Sequence, residues 1–143
     1  MKKTLILAAA LFVAPVIVQA DVIEERLDTY KAEGAGPFSA EAGKKMWTQV
    51  IPFEKKGEMM KDRSCATCHN AVPNTPGKHA KTGKVIAPMT LGSVSINRKG
   101  EEEVRYSTVK KVEKWFKRNC KWTYGRVCTP QEKGDFLMFF KSL

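Results

Sequence analysis

Residues 63–69 read Arg63-Ser64-Cys65-Ala66-Thr67-Cys68-His69. Two cysteines three apart with a histidine directly after the second form the Cys-x-x-Cys-His signature of covalent haem attachment. The spacing has a chemical reason. Two thiols add across the two vinyl groups on one edge of a haem, and the adjacent imidazole is thereby delivered to the iron as the proximal ligand. Two other readings of the motif stand beside this one. A thioredoxin-like redox pair would open a helix in a strand-rich α/β fold, and the flanking sequence predicts no such fold. A zinc site would need two further ligands at finger-like spacing. Cys120 and Cys128 are too far apart for that, and His79, the one other histidine, lies in a lysine-rich loop.

Working outward from the motif, the pattern is helical. Asp21 to Lys31 places Val22, Ile23, Leu27 and Tyr30 near helical spacing, and Gly34-Ala35-Gly36-Pro37 ends that stretch. Ser39 is a good N-cap for a second helix carrying Gly43, Met46, Trp47 and Val50, which Pro52 ends or kinks. Lys55 to Lys61 and residues 70–84 read as loops, Ile86-Ala87-Pro88-Met89 as a short apolar island, and Gly92 to Tyr106 as variable and charged. Ser107 or Thr108 caps a helix in which Val109, Val112, Trp115 and Phe116 share one face and Lys110, Lys111, Lys114, Lys117 and Arg118 occupy the rest. Cys120 to Cys128 reads as a loop containing Gly125. Thr129-Pro130 then opens a last helix buried through Phe136, Leu137, Phe139 and Phe140. No strand is evident and the fold class is all-α. A glycine-bearing helix ahead of the motif and an aromatic terminal helix fit a small class I-like cytochrome c, in which the two end helices cross and a small residue such as Gly43 allows close approach.

The 143 residues support one compact domain. Met1-Lys2-Lys3, an apolar run from Leu5 to Val18, and Val18-Gln19-Ala20 make residues 1–20 a secretory signal peptide, leaving 21–143 as the cytochrome domain. The run is too short for a spanning helix, and no second apolar run of spanning length follows, so no membrane span is expected in the mature chain. Export places the protein in the periplasm, where disulfides persist. The chain is basic, with 25 Lys and Arg against 15 Asp and Glu. Without basic–aromatic interleaving or a helix-turn-helix pattern, nucleic acid is not an expected partner. The charge suits an acidic protein partner or a solvated surface.

The ligand opposite His69 separates the possible functions. Methionine gives a low-spin electron carrier with raised potential, whereas a weak or absent ligand opens a site for small molecules. The residues alone leave this open. His79 and Met89 are the candidates for a stable sixth ligand and hence for a simple electron-transfer cytochrome c. Met46 and Met138 lie on apolar helix faces, and Met59 and Met60 precede the motif in a polar stretch. Where a methionine ligand is ordinarily expected, the chain offers Arg118-Asn119-Cys120. Asn119 is also well suited to cap a helix C-terminus.

Residues 112–120, Val112-Glu113-Lys114-Trp115-Phe116-Lys117-Arg118-Asn119-Cys120, and 124–133, Tyr124-Gly125-Arg126-Val127-Cys128-Thr129-Pro130-Gln131-Glu132-Lys133, resemble the SHP-type (sphaeroides haem protein) cytochromes c. The attachment segment, Thr82-Gly83-Lys84 and Ile86-Ala87-Pro88 share the likeness, which covers most of 39–142 and is weak from 92 to 106. The resemblance implies one covalent haem c bound through Cys65, Cys68 and His69. It implies Asn119 as a weak axial ligand of oxidised iron that detaches on reduction, so that oxygen or nitric oxide binds. It further implies a Cys120–Cys128 disulfide beside that ligand and a dihaem cytochrome c as electron donor. Met89 departs from the family's leucine. An amide oxygen is a poor, neutral, hard donor that suits ferric iron better than ferrous, which accords with a redox-gated site. A role as terminal reductase or gas scavenger is compatible with this, but no acid–base pair marks turnover. Pro88 is placed to offer its carbonyl to the second ring nitrogen of His69, and Trp122 and Tyr124 to wall the distal side.

Overall fold

A computed structural model describes residues 15–55, 58–97 and 99–143. Most of the leader read in residues 1–20 lies outside the described residues. Its end, from Pro15, opens the first helix, α1 (Pro15–Ala32). α2 (Ala40–Thr48) and α3 (Ala66–His69) follow, then α4 (Val109–Tyr124) and α5 (Pro130–Lys141). Between them lie six short strands: β1 (Ile51–Lys55), β2 (Glu58–Arg63), β3 (Gly77–Lys78), β4 (Val85–Ile86), β5 (Val94–Ile96) and β6 (Glu102–Val104). They pair as three separate two-stranded antiparallel ribbons, β1–β2, β3–β4 and β5–β6. The ribbons correct the expectation that the chain has no strand and that 55–61 and 70–84 are loops, and they give structure to the variable, charged stretch 92–106, yet the helices still carry the core. Such ribbons are fixed by cross-strand pairing, which a scan for alternating hydrophobicity detects poorly in strands of two to six residues.

The helix ends follow local chemistry. The side chain of Ser39 accepts from the Ala42 amide at 3.2 Å, and that of Thr108 from the Lys111 amide at 3.3 Å. Thr129 and Glu132 form a reciprocal capping box ahead of the Phe-rich α5, with Pro130 in its first turn. α2 stops at Thr48, before Pro52. The longest departure concerns α4, which continues through Cys120 to Tyr124 and closes on Gly125 in the left-handed conformation, φ 71°. Asn119 is therefore inside the helix and is not its C-cap, and Trp122 and Tyr124 are helical rather than in a loop. Trp115, expected on the buried face, is 43 % exposed. It lies between Lys114 and Arg118, whose cationic groups stand 5.6 and 5.2 Å from its ring.

The core forms where α5 crosses α2 and α1. Ile23, Leu27 and Tyr30 of α1, Trp47 of α2, and Phe136, Leu137, Phe139 and Phe140 of α5 are all buried. Trp47 meets Phe139 and Phe140 edge-on at 6.1 and 5.6 Å. Gly43 and Gly134 make the crossing possible. A methyl at 43 would stand 2.7 Å from the Asp135 carbonyl carbon, and one at 134 would strike the Phe38 ring. Buried Asp135 then ties the elements together by accepting from the Ser39 amide at 2.7 Å and from Gln131 Nε2 at 3.1 Å.

Candidate haem-attachment site

α3 is a single helical turn, started where the Ser64 hydroxyl accepts from the Thr67 amide at 3.2 Å and the Thr67 hydroxyl accepts from the Ser64 amide at 3.0 Å. Asn70 ends it with φ 66°, a left-handed conformation that asparagine tolerates. This turn holds Cys65, Cys68 and His69 on consecutive corners, with both thiols free. Gly77 packs directly on its back. A methyl there would come within 2.7 Å of the His69 Cα and closer still to the Cys68 carbonyl oxygen. The Cys68 sulfur accepts from the Ala80 amide at 3.4 Å.

Trp47 supports the histidine from α2. Its indole N–H donates to the Asn70 carbonyl at 2.8 Å, and its ring lies 5.3 Å from the His69 imidazole. Burial, reinforced by the positive charge of Arg105, pushes the His69 pKa down to about 4, so the imidazole is neutral near pH 7 with a lone pair to lend. Burial pushes the Cys65 thiol up to about 11 despite hydrogen bonds with Tyr124 and Thr123. Those two contacts bring the end of α4 against the motif. Arg63 strengthens the junction: it donates to the Trp122 carbonyl at 2.7 Å, and its guanidinium lies between the Phe53 and Trp122 rings at 3.3 and 4.6 Å.

The other sequence-predicted residues divide clearly. Asn119 is exposed on α4, four residues before Thr123 and so on the helix face that meets Cys65. The next residue, Cys120, is buried, with its sulfur 1.98 Å from that of Cys128 and the two Cα atoms 5.6 Å apart. Met89 is buried, its amide donating to the Pro73 carbonyl at 2.7 Å and its own carbonyl accepting from the Tyr106 hydroxyl at 2.7 Å. His79 is exposed, and its Nδ1 accepts from the Lys81 and Thr82 amides at 3.3 and 3.1 Å. No hydrogen bond joins Pro88 to His69 among the described residues. The neighbouring carbonyl of Ala87 instead accepts from Arg105 Nη2 at 2.6 Å.

Does this set of side chains fit a haem c? Two thiols and an imidazole share one helical turn, and the imidazole is neutral. Arg105, close enough for its charge to act on His69, has a buried Nε with no hydrogen-bond partner among the described residues, a donor suited to an anionic group. The donor set fits. No cluster of three or more His, Cys, Asp or Glu suited to a bare metal ion occurs among the described residues.

The chain is 32 % identical to the cytochrome c-type protein SHP of Cereibacter sphaeroides over 137 residues, 96 % of this chain and 95 % of that protein. It belongs to the SHP-type cytochromes c. Residues 33–140 also match the family described as a domain of unknown function, DUF1924. Cytochrome c'' of Methylophilus methylotrophus is 34 % identical over 79 residues, 55 % of this chain and 49 % of that one. In three dimensions, oxidised SHP, an oxygen-binding cytochrome c, matches with a TM-score of 0.62 at 30 % identity, covering 85 % of this chain and 96 % of that one. Oxidised cytochrome c'' matches with a TM-score of 0.65 at 26 % identity, covering 87 % and 94 %. Its solution structure, which concerns haem-ligand detachment, matches with a TM-score of 0.62 at 26 % identity, covering 90 % and 95 %. The class I-like, helix-rich cytochrome fold read in the sequence is thus the fold of this SHP-type protein, and its cofactor is covalent haem c. No helix among the described residues is long and apolar enough to cross a membrane.

Arg105 and Trp47 were missing from the sequence-derived site. Trp47 reads as a core aromatic, which it also is. Arg105 falls in a charged segment with no periodicity, and nothing local marks its guanidinium for burial.

Proposed function

We propose that this SHP-type cytochrome c is exported to the periplasm, loses residues 1–20, and works as a domain of residues 21–143 with one haem. Cys65 and Cys68 carry the thioethers and His69 is the proximal ligand. When bound, the haem supplies a one-electron redox change and an axial position for a diatomic ligand. Asn119 guards that position in the oxidised protein. Its amide oxygen holds ferric iron weakly and lets go on reduction, so that oxygen or nitric oxide binds to the reduced protein. A dihaem cytochrome c supplies the electron.

The observation that carries this reading is the junction of α3 with the end of α4. Arg63, two residues before Cys65, donates to the Trp122 carbonyl at 2.7 Å, the Tyr124 hydroxyl donates to the Met46 carbonyl at 3.1 Å, and Asn119 lies one helical turn before Thr123 on α4. The bond from Cys120 to Cys128 restrains the backbone directly beside Asn119. Of the rival donors, His79 is exposed and its Nδ1 already accepts two amide hydrogen bonds, whereas Met89 is buried with its main chain hydrogen-bonded on both sides. The oxygen binding of SHP and the ligand detachment studied in cytochrome c'' support the same behaviour here.

Optical spectra test it. The reduced protein should be high-spin and should shift to a carbon monoxide complex on adding the gas. Asn119→Ala should turn the oxidised protein high-spin while leaving haem attachment intact. A reduced protein that stays low-spin and ignores carbon monoxide would instead mark a simple carrier ligated by Met89 or His79.

A further inference from the structure

Arg105 is half-buried, yet among the described residues no ion pair reaches it, and no aromatic ring takes its charge as Phe53 and Trp122 take that of Arg63. One nitrogen, Nη2, is used on the Ala87 carbonyl, while buried Nε has no partner. The nearest carboxylate to act on it, Glu103, is already paired with Lys111 at 3.5 Å. Arg26, the other arginine with an unpartnered Nε, differs because Glu113 neutralises it at 3.0 Å. A buried guanidinium without a counter-charge is costly and calls for an anion.

Its position says which anion. Arg105 extends from the end of β6, where its amide donates to the Ser93 carbonyl at 2.9 Å, and it reaches the Ala87 carbonyl in the segment leading to Met89. The next residue, Tyr106, is held at φ 54°, a strained value for an aromatic residue, with its hydroxyl on the Met89 carbonyl. Ala87 directly follows Ile86, which pairs with Gly77, and Gly77 packs on the back of the attachment helix, so the guanidinium is anchored close to that helix, where its charge acts on His69. A haem tethered at Cys65 and Cys68 and ligated by His69 brings two carboxylates of its own, on the edge away from the vinyl groups.

We propose that Arg105 binds a haem propionate, with Nε–H donating to a carboxylate oxygen while Nη2 stays on the Ala87 carbonyl. This rests on the haem reading above and adds to it a cofactor-binding residue directly after β6. A guanidinium suits the role better than an ammonium because it can serve two acceptors in a fixed geometry. It also places one positive charge near an iron that loses positive charge on reduction, so it raises the midpoint potential.

The test uses the holoprotein and two variants, Arg105→Gln and Arg105→Lys. Haem attachment is checked first by the pyridine haemochrome spectrum. Wild-type protein without covalent haem would remove the underlying reading itself. With haem attached, Arg105→Gln should lower the midpoint potential and shift the propionate bending band in the resonance Raman spectrum, and Arg105→Lys should restore the potential in part. Unchanged potential and propionate band would leave Arg105 as a clamp on Ala87 only and overturn the proposal. Should neither variant retain haem, the native reduced carbon monoxide form still decides. Its Arg105 Nε–H resonance should show cross-peaks to propionate methylene protons, and their absence refutes the contact.

Discussion

Gly43→Ala tests the contact on which the whole frame depends. The added methyl would lie 2.7 Å from the Asp135 carbonyl carbon and 2.9 Å from the Phe139 Cβ, and closer still to the Asp135 carbonyl oxygen. Carbon atoms prefer about 3.5–4.0 Å, so α2 and α5 must separate by roughly 1 Å. Two of the three obstructing atoms are backbone and cannot rotate aside. Overpacking of this kind costs about 1–3 kcal/mol, and a clash with backbone belongs at the upper end. Alanine regains about 1 kcal/mol over glycine in helix propensity. The net loss is about 2 kcal/mol. For a domain of this length that is roughly 8 °C in Tm. The displacement also reaches the site, because Trp47 on the same helix packs on Phe139, Phe140 and His69. Thermal unfolding of the holoprotein followed by far-UV circular dichroism measures the effect, with exposed Lys44→Ala as a control expected to be near neutral. A Tm for Gly43→Ala equal to or above that of the native protein would show that the helices do not approach this closely, and the packing argument would fall.

Two further outcomes follow from the same structure. Glu113 accepts from Tyr30 and from Lys133 at 2.8 Å, and it forms an ion pair with Arg26 at 3.0 Å. Burial works to raise its pKa, but the hydrogen bonds from Lys133 and Tyr30 and the charges of Lys133 and Arg26 outweigh it and hold the carboxyl below its ordinary value. A depressed carboxylate stabilises the fold above its unfolded pKa of about 4.3 and loses that contribution as pH falls below it. Urea denaturation should therefore show Glu113→Gln less stable than native at pH 7, with the gap narrowing towards pH 3; a gap independent of pH would contradict the ion cluster. Replacing Cys120 and Cys128 together by serine opens the short covalent loop, for which the chain-entropy relation gives about 2.5 kcal/mol. The double variant should unfold at lower denaturant and show an altered ferric spectrum, whereas lost stability with an unaltered spectrum would separate the bridge from Asn119.

What could be read without the fold was whatever depends on neighbours in the chain. The thiols and imidazole of Cys65, Cys68 and His69 share one turn, so their chemistry is legible from adjacency. The caps Ser39, Thr108 and Thr129 are legible too, because each serves amides within three residues. The apolar faces of α1 and α5 follow from helical periodicity. Where local propensity is weak, tertiary contacts decide the conformation. α4 ran on past Cys120 because Thr123 and Cys120 are buried against the rest of the protein, and tertiary burial outweighs local loop signals. Trp115 satisfied the periodicity but met no partner surface, and it lies exposed between two cations. The seat of Trp47 beside His69 and the burial of Arg105 join residues far apart in sequence. They arise only when the helices cross and close the space around the attachment turn, since burial and its electrostatic consequences belong to the assembled chain and to no segment of it.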